Sequence, residues 1–243
     1  MQILHSVLET ETGVKYVDIS RFASRLDIRD ANYKNIIECL QKKLIIFYPV
    51  QDILDFAEKV HGADIEKLQD EVIRRDNIEY AYEFALKVYG ADIEKLQEVI
   101  ILHKNSSEEA YRFAKDIKGA NIEKLQEVIC KNHNSHFSHL FALNIPGADI
   151  EKLQDVVISS EISENIYKFA RDIKGANIEK LQYAIVNCKN YDAIIDYRFQ
   201  YEFILNIHGA NQSLIDTRHF PKVDEEEVKT ILDNFNINEV MES

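Results

Sequence analysis

Six glycines, Gly62, Gly90, Gly119, Gly147, Gly175 and Gly209, recur along this 243-residue chain at spacings of 28, 29, 28, 28 and 34. A fixed period of that size marks stacked supersecondary units. Each unit is too small to bury its own apolar face, so the chain folds by laying one unit against the next. The phrase Gly-Ala-Asp-Ile-Glu-Lys-Leu-Gln stands unchanged at 62–69, 90–97 and 147–154, and returns with Asn for Asp at 119–126 and 175–182. Any motif in the chain has to be weighed against this repeat.

The residues before each glycine predict a helix, here helix A. Phenylalanine stands six positions earlier in every unit (Phe56, Phe84, Phe113, Phe141, Phe169, Phe203), with Val or Ile two positions earlier. Tyr82, Tyr111, Tyr167 and Tyr201 stand eight earlier, where Leu54 and His139 fill the other two units. Apolar positions nine, six, five and two before the glycine make one helical stripe. The residues after the glycine predict helix B, with Ile at the third position, Leu at the sixth and apolar residues near the tenth, as in Ile93, Leu96 and Ile100. Between the helices, glycine is expected as the left-handed stop of helix A. Asp64, Asp92, Asn121, Asp149, Asn177 and Asn211 are expected as N-caps of helix B. The Glu two residues after each of the first five caps suits the positive end of the helix dipole.

The ends read as degenerate units. Phe22-Ala23 falls where the repeat has Phe-Ala, but Ile28 replaces the glycine, which predicts a divergent first hairpin. Asp224 to Phe235 reads as a terminal acidic helix after the Phe220-Pro221 break. Three prolines, seven glycines, no tryptophan and 46% hydrophobic residues argue against a β-sandwich and against disorder. The expected fold is all-α, a right-handed α-solenoid of about six to seven helical hairpins in one continuous domain, on the repeat rules. Residues 1–49 form its divergent cap, 50–215 the tandem repeats, and 216–243 an acidic capping helix and tail.

The pattern Tyr-x-Phe-Ala-x-x-Ile-x-Gly-Ala-Asn-Ile-Glu-Lys-Leu-Gln, as at 167–182, resembles short tandem helical repeats of poorly characterised bacterial and phage proteins. The resemblance covers about residues 50–210 and implies the fold but no activity. The abundance of Ile, Asn, Lys and Tyr fits an AT-rich genome. Val-Tyr-Gly-Ala-Asp-Ile also looks like the end of an ankyrin repeat, but the Thr-Pro-Leu-His opening is absent and a helix begins where ankyrins place their turn.

Cys130, His133, His136 and His139 lie at regular spacings of three and would offer four zinc ligands. The repeat explains two of them otherwise. Cys130 takes a position held elsewhere by Ile73, Ile101, Ile158 and Val186, so a buried small hydrophobe is expected there. His139 takes the tyrosine position. No phosphate-binding loop, HExxH or nucleophile elbow is present, and no paired carboxylates stand out from those at helix starts. No enzyme activity, metal or cofactor is expected.

The chain carries 42 acidic against 29 basic residues, a net charge of −13, which argues against nucleic acid or anionic lipid as a direct ligand. Three cysteines without CxxC spacing, and no apolar span or signal peptide, suggest a reducing cytoplasmic compartment. The expected partner is another protein. Positions seven and four before the glycine differ from unit to unit, and so do the B-to-A connections 74–79, 103–109, 131–138 and 187–200. They supply candidate partner contacts: Glu83, Arg112, Lys115, Lys168, Arg171, and, in the longer last connection, Tyr191, Tyr197 and Arg198. The expected function is a non-catalytic scaffold. In one form it is an acidic phage or bacterial inhibitor, such as an anti-CRISPR, covering a basic surface of a host-defence protein. The rival is a HEAT-like nucleic-acid-binding or processing protein whose basic face would draw on Arg74, Arg75, Arg112, Lys115, Lys131, Lys168 and Arg171.

One feature of the phrase lacks a structural reason at this level. Lys67 and Gln69, with their equivalents Lys95 and Gln97, Lys124 and Gln126, Lys152 and Gln154, Lys180 and Gln182, recur at helical positions expected to be exposed. An ion-pair ladder from Lys to a neighbouring Glu is the first explanation, and a repeated partner contact the second.

Overall fold

The computed structural model describes residues 18–188 and 193–211, with side chains described except at 193–196. Thirteen helices and no strand occur among the described residues. They belong to two compact units. The first comprises Met1–Asn132 with Asn144–Ala148, and the second His133–Leu143 with Asp149–Ser243.

In the first unit the helices are α1 (Ile19–Ala23), α2 (Tyr33–Phe47), α3 (Val50–Lys59), α4 (Ile65–Arg74), α5 (Ile78–Lys87), α6 (Ile93–Leu102), α7 (Ser107–Asp116) and α8 (Ile122–Lys131). Helices α1, α3, α5 and α7 are helix A of successive repeats, and α2, α4, α6 and α8 are helix B. Each helix A packs on the next helix A and each helix B on the next helix B. The second unit repeats this order with α9 (Ser135–Asn144, all but its last residue), α10 (Ile150–Ser159), α11 (Ser163–Asp172), α12 (Ile178–Val186) and α13 (Ala193–Asn206). There α11 packs on α13 and α10 on α12.

The core follows the predicted stripes. All six phenylalanines are fully buried, and so are Leu68, Leu96, Leu125, Leu153 and Leu181 of helix B. The Val or Ile two before each glycine is also buried in every unit.

The corner between helix A and helix B differs in detail from the expectation. Helix α3 ends at Lys59, and Val60 leaves it in an extended conformation (φ −102, ψ 116) while its N–H still donates to Phe56 O. The next residues form a four-residue turn in which Ala63 N donates to Val60 O at 3.3 Å, with φ of +75 at Gly62. Glycine is therefore the third residue of a turn outside the helix, not the helix stop. That turn position needs positive φ. Space is not the reason for glycine: at Gly90 and at the four glycines after it, an added Cβ would meet nothing within 4 Å. The caps act as expected. The side chains of Asp64, Asp92, Asn121, Asp149 and Asn177 each accept from the backbone N–H three residues on.

The first hairpin is divergent in a way the glycine count hides. Phe22 aligns with the repeat phenylalanines but is only half-buried, while Ala23 is buried, and Ile28 is exposed in the long connection to α2. Ile37-Glu38-Cys39-Leu40-Gln41 of α2 stands 28 residues before Ile65-Glu66-Lys67-Leu68-Gln69 and matches it at four of five positions. Leu40 and Gln41 are buried as their repeat counterparts are.

The last connection is shorter than the sequence suggested. Residues 193–200, read as loop, belong to α13, which has 14 residues against 10 in α11. Gln200 is buried there and donates to Ile185 O at 3.0 Å, tying this longer helix to the end of α12.

Candidate interaction surface

The recurring glutamine is a buried residue, which corrects the exposed position expected for it. Gln41, Gln69, Gln97, Gln154 and Gln182 are at most 4% exposed, and each reaches the cap of the next repeat. Gln69 Oε1 accepts from Asp92 N at 2.7 Å and its Nε2 donates to Asp92 O at 3.4 Å. Gln41 makes the same pair with Asp64, at 2.9 and 3.2 Å, and Gln182 with Asn211, at 2.7 and 2.6 Å. Gln97 accepts from Asn121 N and Gln154 from Asn177 N. The cap residue stands at the start of its helix, so its backbone N–H has no helical carbonyl to bond. Glutamine supplies that partner from the neighbouring repeat. Its amide offers donor and acceptor together, which no aliphatic residue can do.

A second row of polar contacts joins successive A helices. Tyr82 OH donates to Asp116 Oδ2 at 2.8 Å, and Asn144 Nδ2 donates to Tyr111 OH at 3.1 Å. In the second unit Asn206 Nδ2 donates to Tyr167 OH, while His139 Nε2 stands 3.1 Å from Asp172 Oδ2. In each case a residue eight before one glycine meets a residue three before the next.

The recurring lysines lie outside this scheme. Lys124 Nζ pairs with Glu98 at 2.7 Å, Lys180 with Asp155, and Lys95 approaches Glu66 and Asp70 at 3.7 and 3.8 Å. Lys67 and Lys152 instead pair with their own caps, Asp64 and Asp149. The neighbour-to-neighbour lysine ladder is thus partial, and its members are solvent-exposed pairs of the kind that contribute little.

The candidate contact residues are spread along the helix A faces. Positions four before the glycine are exposed in all six repeats: Glu58, Leu86 and Lys115 in the first unit, and Leu143, Arg171 and Leu205 in the second. Positions seven before it, including Glu83, Arg112 and Lys168, are half-buried. Most of the charged candidates already have partners. Glu83 pairs with Lys87 at 2.6 Å, Lys168 with Glu164 at 2.7 Å, and Arg171 with Asp172 at 2.7 Å. Arg112 pairs with Glu79 at 3.0 Å and lies over the Tyr82 ring, 4.3 Å from its centroid. Lys115 lies over Tyr111. Arg198 pairs with Glu202 at 2.8 Å, and Tyr197 is half-buried beside it. Tyr191 and the acidic segment Asp224 to Phe235 lie outside the described residues.

Arg74 and Arg75, candidates for a nucleic-acid face, converge on the buried Glu71 at 2.6 and 2.7 Å. Arg75 also donates to Tyr48 O and Ile45 O, filling carbonyls at the end of α2. The Arg74 guanidinium, aided by Arg75, holds the Glu71 carboxyl below its ordinary range.

The cysteine and histidines do not converge. Cys130 is half-buried, not buried as expected, and shares that burial with Ile73, Ile101, Ile158 and Val186 at the same repeat position. His133 occupies a left-handed turn at φ 49, His136 packs edge-on against Phe137, and His139 faces Asp172. No group of three His, Cys, Asp or Glu side chains that could hold a metal occurs among the described residues. No described helix is long and apolar enough to cross a membrane.

These features define an all-helical repeat protein in which a recurring glutamine ties one repeat to the cap of the next. Comparison with protein-family models, curated proteins and solved structures finds no match to the chain.

Proposed function

We propose that the chain is a non-catalytic α-solenoid scaffold that holds another protein on the helix A faces. The observation that carries this reading is the column four residues before each glycine. It is exposed in every repeat and alternates between a charged residue (Glu58, Lys115, Arg171) and a leucine (Leu86, Leu143, Leu205) left in solvent. Exposed leucines interleaved with charge suit a protein partner more than a polyanion. The engagement of Arg74, Arg75, Arg112 and Arg171 with carboxylates supports the same choice, since phosphate binding needs cations in excess. The net charge of −13 supports a more specific form, an inhibitor from a phage or bacterium that covers a basic surface of its target.

Affinity purification from the native host with the full chain as bait tests the reading. A protein is expected to co-purify at low salt and to be lost from the Leu86→Asp, Leu143→Asp, Leu205→Asp triple variant at unchanged melting temperature. Capture of nucleic acid with a steep salt dependence would overturn it, as would capture indifferent to the triple change.

A further inference from the structure

We propose that the contact between His139 and Asp172 is a protonation-sensitive joint between α9 and α11 of the second unit. His139 stands where four repeats carry tyrosine and one carries Leu54, so the polar row between A helices has in it a titratable member of near-neutral range. Its side chain is 15% exposed, its ring lies 6.2 Å from that of the fully buried Phe169, and Nε2 is 3.1 Å from Asp172 Oδ2 without the alignment of a hydrogen bond.

The charged groups facing it in this unit all lie on α11: Asp172, Lys168 and Arg171. Asp172 is already engaged, since Arg171 Nε and Nη2 donate to its two oxygens at 2.7 and 3.1 Å. A proton on His139 therefore sets a second cation beside one carboxylate, in a site that burial makes poor for charge. Burial holds the imidazole below its ordinary value, and the attraction of Asp172 only partly offsets this. The unfolded chain then binds the proton more readily than the folded one. Stability at this joint is complete above the ordinary histidine value, about pH 6.5. It is lost as pH falls through the lower folded value. In the first unit Tyr82 holds the corresponding place against Asp116, and burial raises its hydroxyl further from the histidine range.

Two measurements on the full chain test this. Thermal melts from pH 7.5 to 5.0 are expected to fall more steeply for the wild type than for His139→Tyr, which restores the repeat residue. NMR titration of His139 in the wild type is expected to give a value below that of an unstructured histidine. Parallel melting curves, or a His139 value at or above the ordinary one, would overturn the proposal.

Discussion

Each repeat turns twice, and the two turns obey different rules. The corner from helix A to helix B uses glycine in all six repeats, at φ between 75 and 91. Four returns from helix B to helix A also use a left-handed residue, yet Asp76, Asn105, His133 and Glu161 fill it, at φ between 49 and 61. The latter values lie in the small left-handed region open to L-residues, whereas the former fit the third residue of a glycine turn. A second difference matters more. At the glycine corner the cap's N–H is held by glutamine from the preceding repeat, while the return turns are closed by local bonds such as Arg75 N to Glu71 O and Ser106 Oγ to Ile100 O. One turn is a joint made the same way from repeat to repeat; the other has diverged, and where it reaches its neighbour, as Arg75 does to Tyr48 O and Ile45 O and Asn132 Nδ2 to Ser107 Oγ, the contact differs each time.

Breaking the joint should have the largest effect. Gln69→Leu keeps the buried volume but orphans the Asp92 N–H, at a cost of about 1–3 kcal/mol. Denaturant melts should show that loss, and a Leu variant as stable as wild type would leave the glutamine unexplained. The two kinds of left-handed residue should come next, with opposite signs. Gly90→Ala meets no steric obstacle, so its cost is the backbone alone, about 1–2 kcal/mol. Glu161→Asn places a residue tolerant of that conformation at φ 53 and should stabilise, by under about 1 kcal/mol. Equal destabilisation by both would erase the distinction drawn between the turns. The smallest effect is expected from changing Lys67, Lys95, Lys124, Lys152 and Lys180 together to Ala. Their ammonium groups are exposed, so melting at physiological salt should not shift resolvably. A loss comparable to that of Gln69→Leu would move the joint from glutamine to lysine.

Much of this was legible in residue spacing. The phenylalanine column, the leucine column and the caps follow from period and chemistry, because each acts within its own hairpin. Gln69 did not, because it lies beside the apolar stripe of its own helix and is covered by the next repeat, which the periodicity of one helix cannot show. The first hairpin was expected from Phe22-Ala23, but the likeness of its second helix to helix B was not seen, for a related reason. Aligning forward from Phe22 runs into the longer connection and loses register, while stepping back 28 residues from Ile65 finds Ile37 and Gln41. The left-handed return residues share a backbone shape but no identity, so comparing letters made them look free. The candidate contacts were recognisable as variable positions, but the ion pairs that engage Glu83, Arg112, Lys168 and Arg171 join residues of different repeats as well as of one helix turn.

Amide hydrogen exchange at Asp92 tests most directly the claim that glutamine joins the repeats. This N–H belongs to an N-cap, where no helical bond protects it, and its partner is Gln69 Oε1 at 2.7 Å. Slow exchange is expected in the wild type. In Gln69→Leu, protection should be lost at Asp92 and kept at Asn177, whose partner Gln154 is untouched. Fast exchange at Asp92 in the wild type, or protection unchanged by the substitution, would contradict the claim.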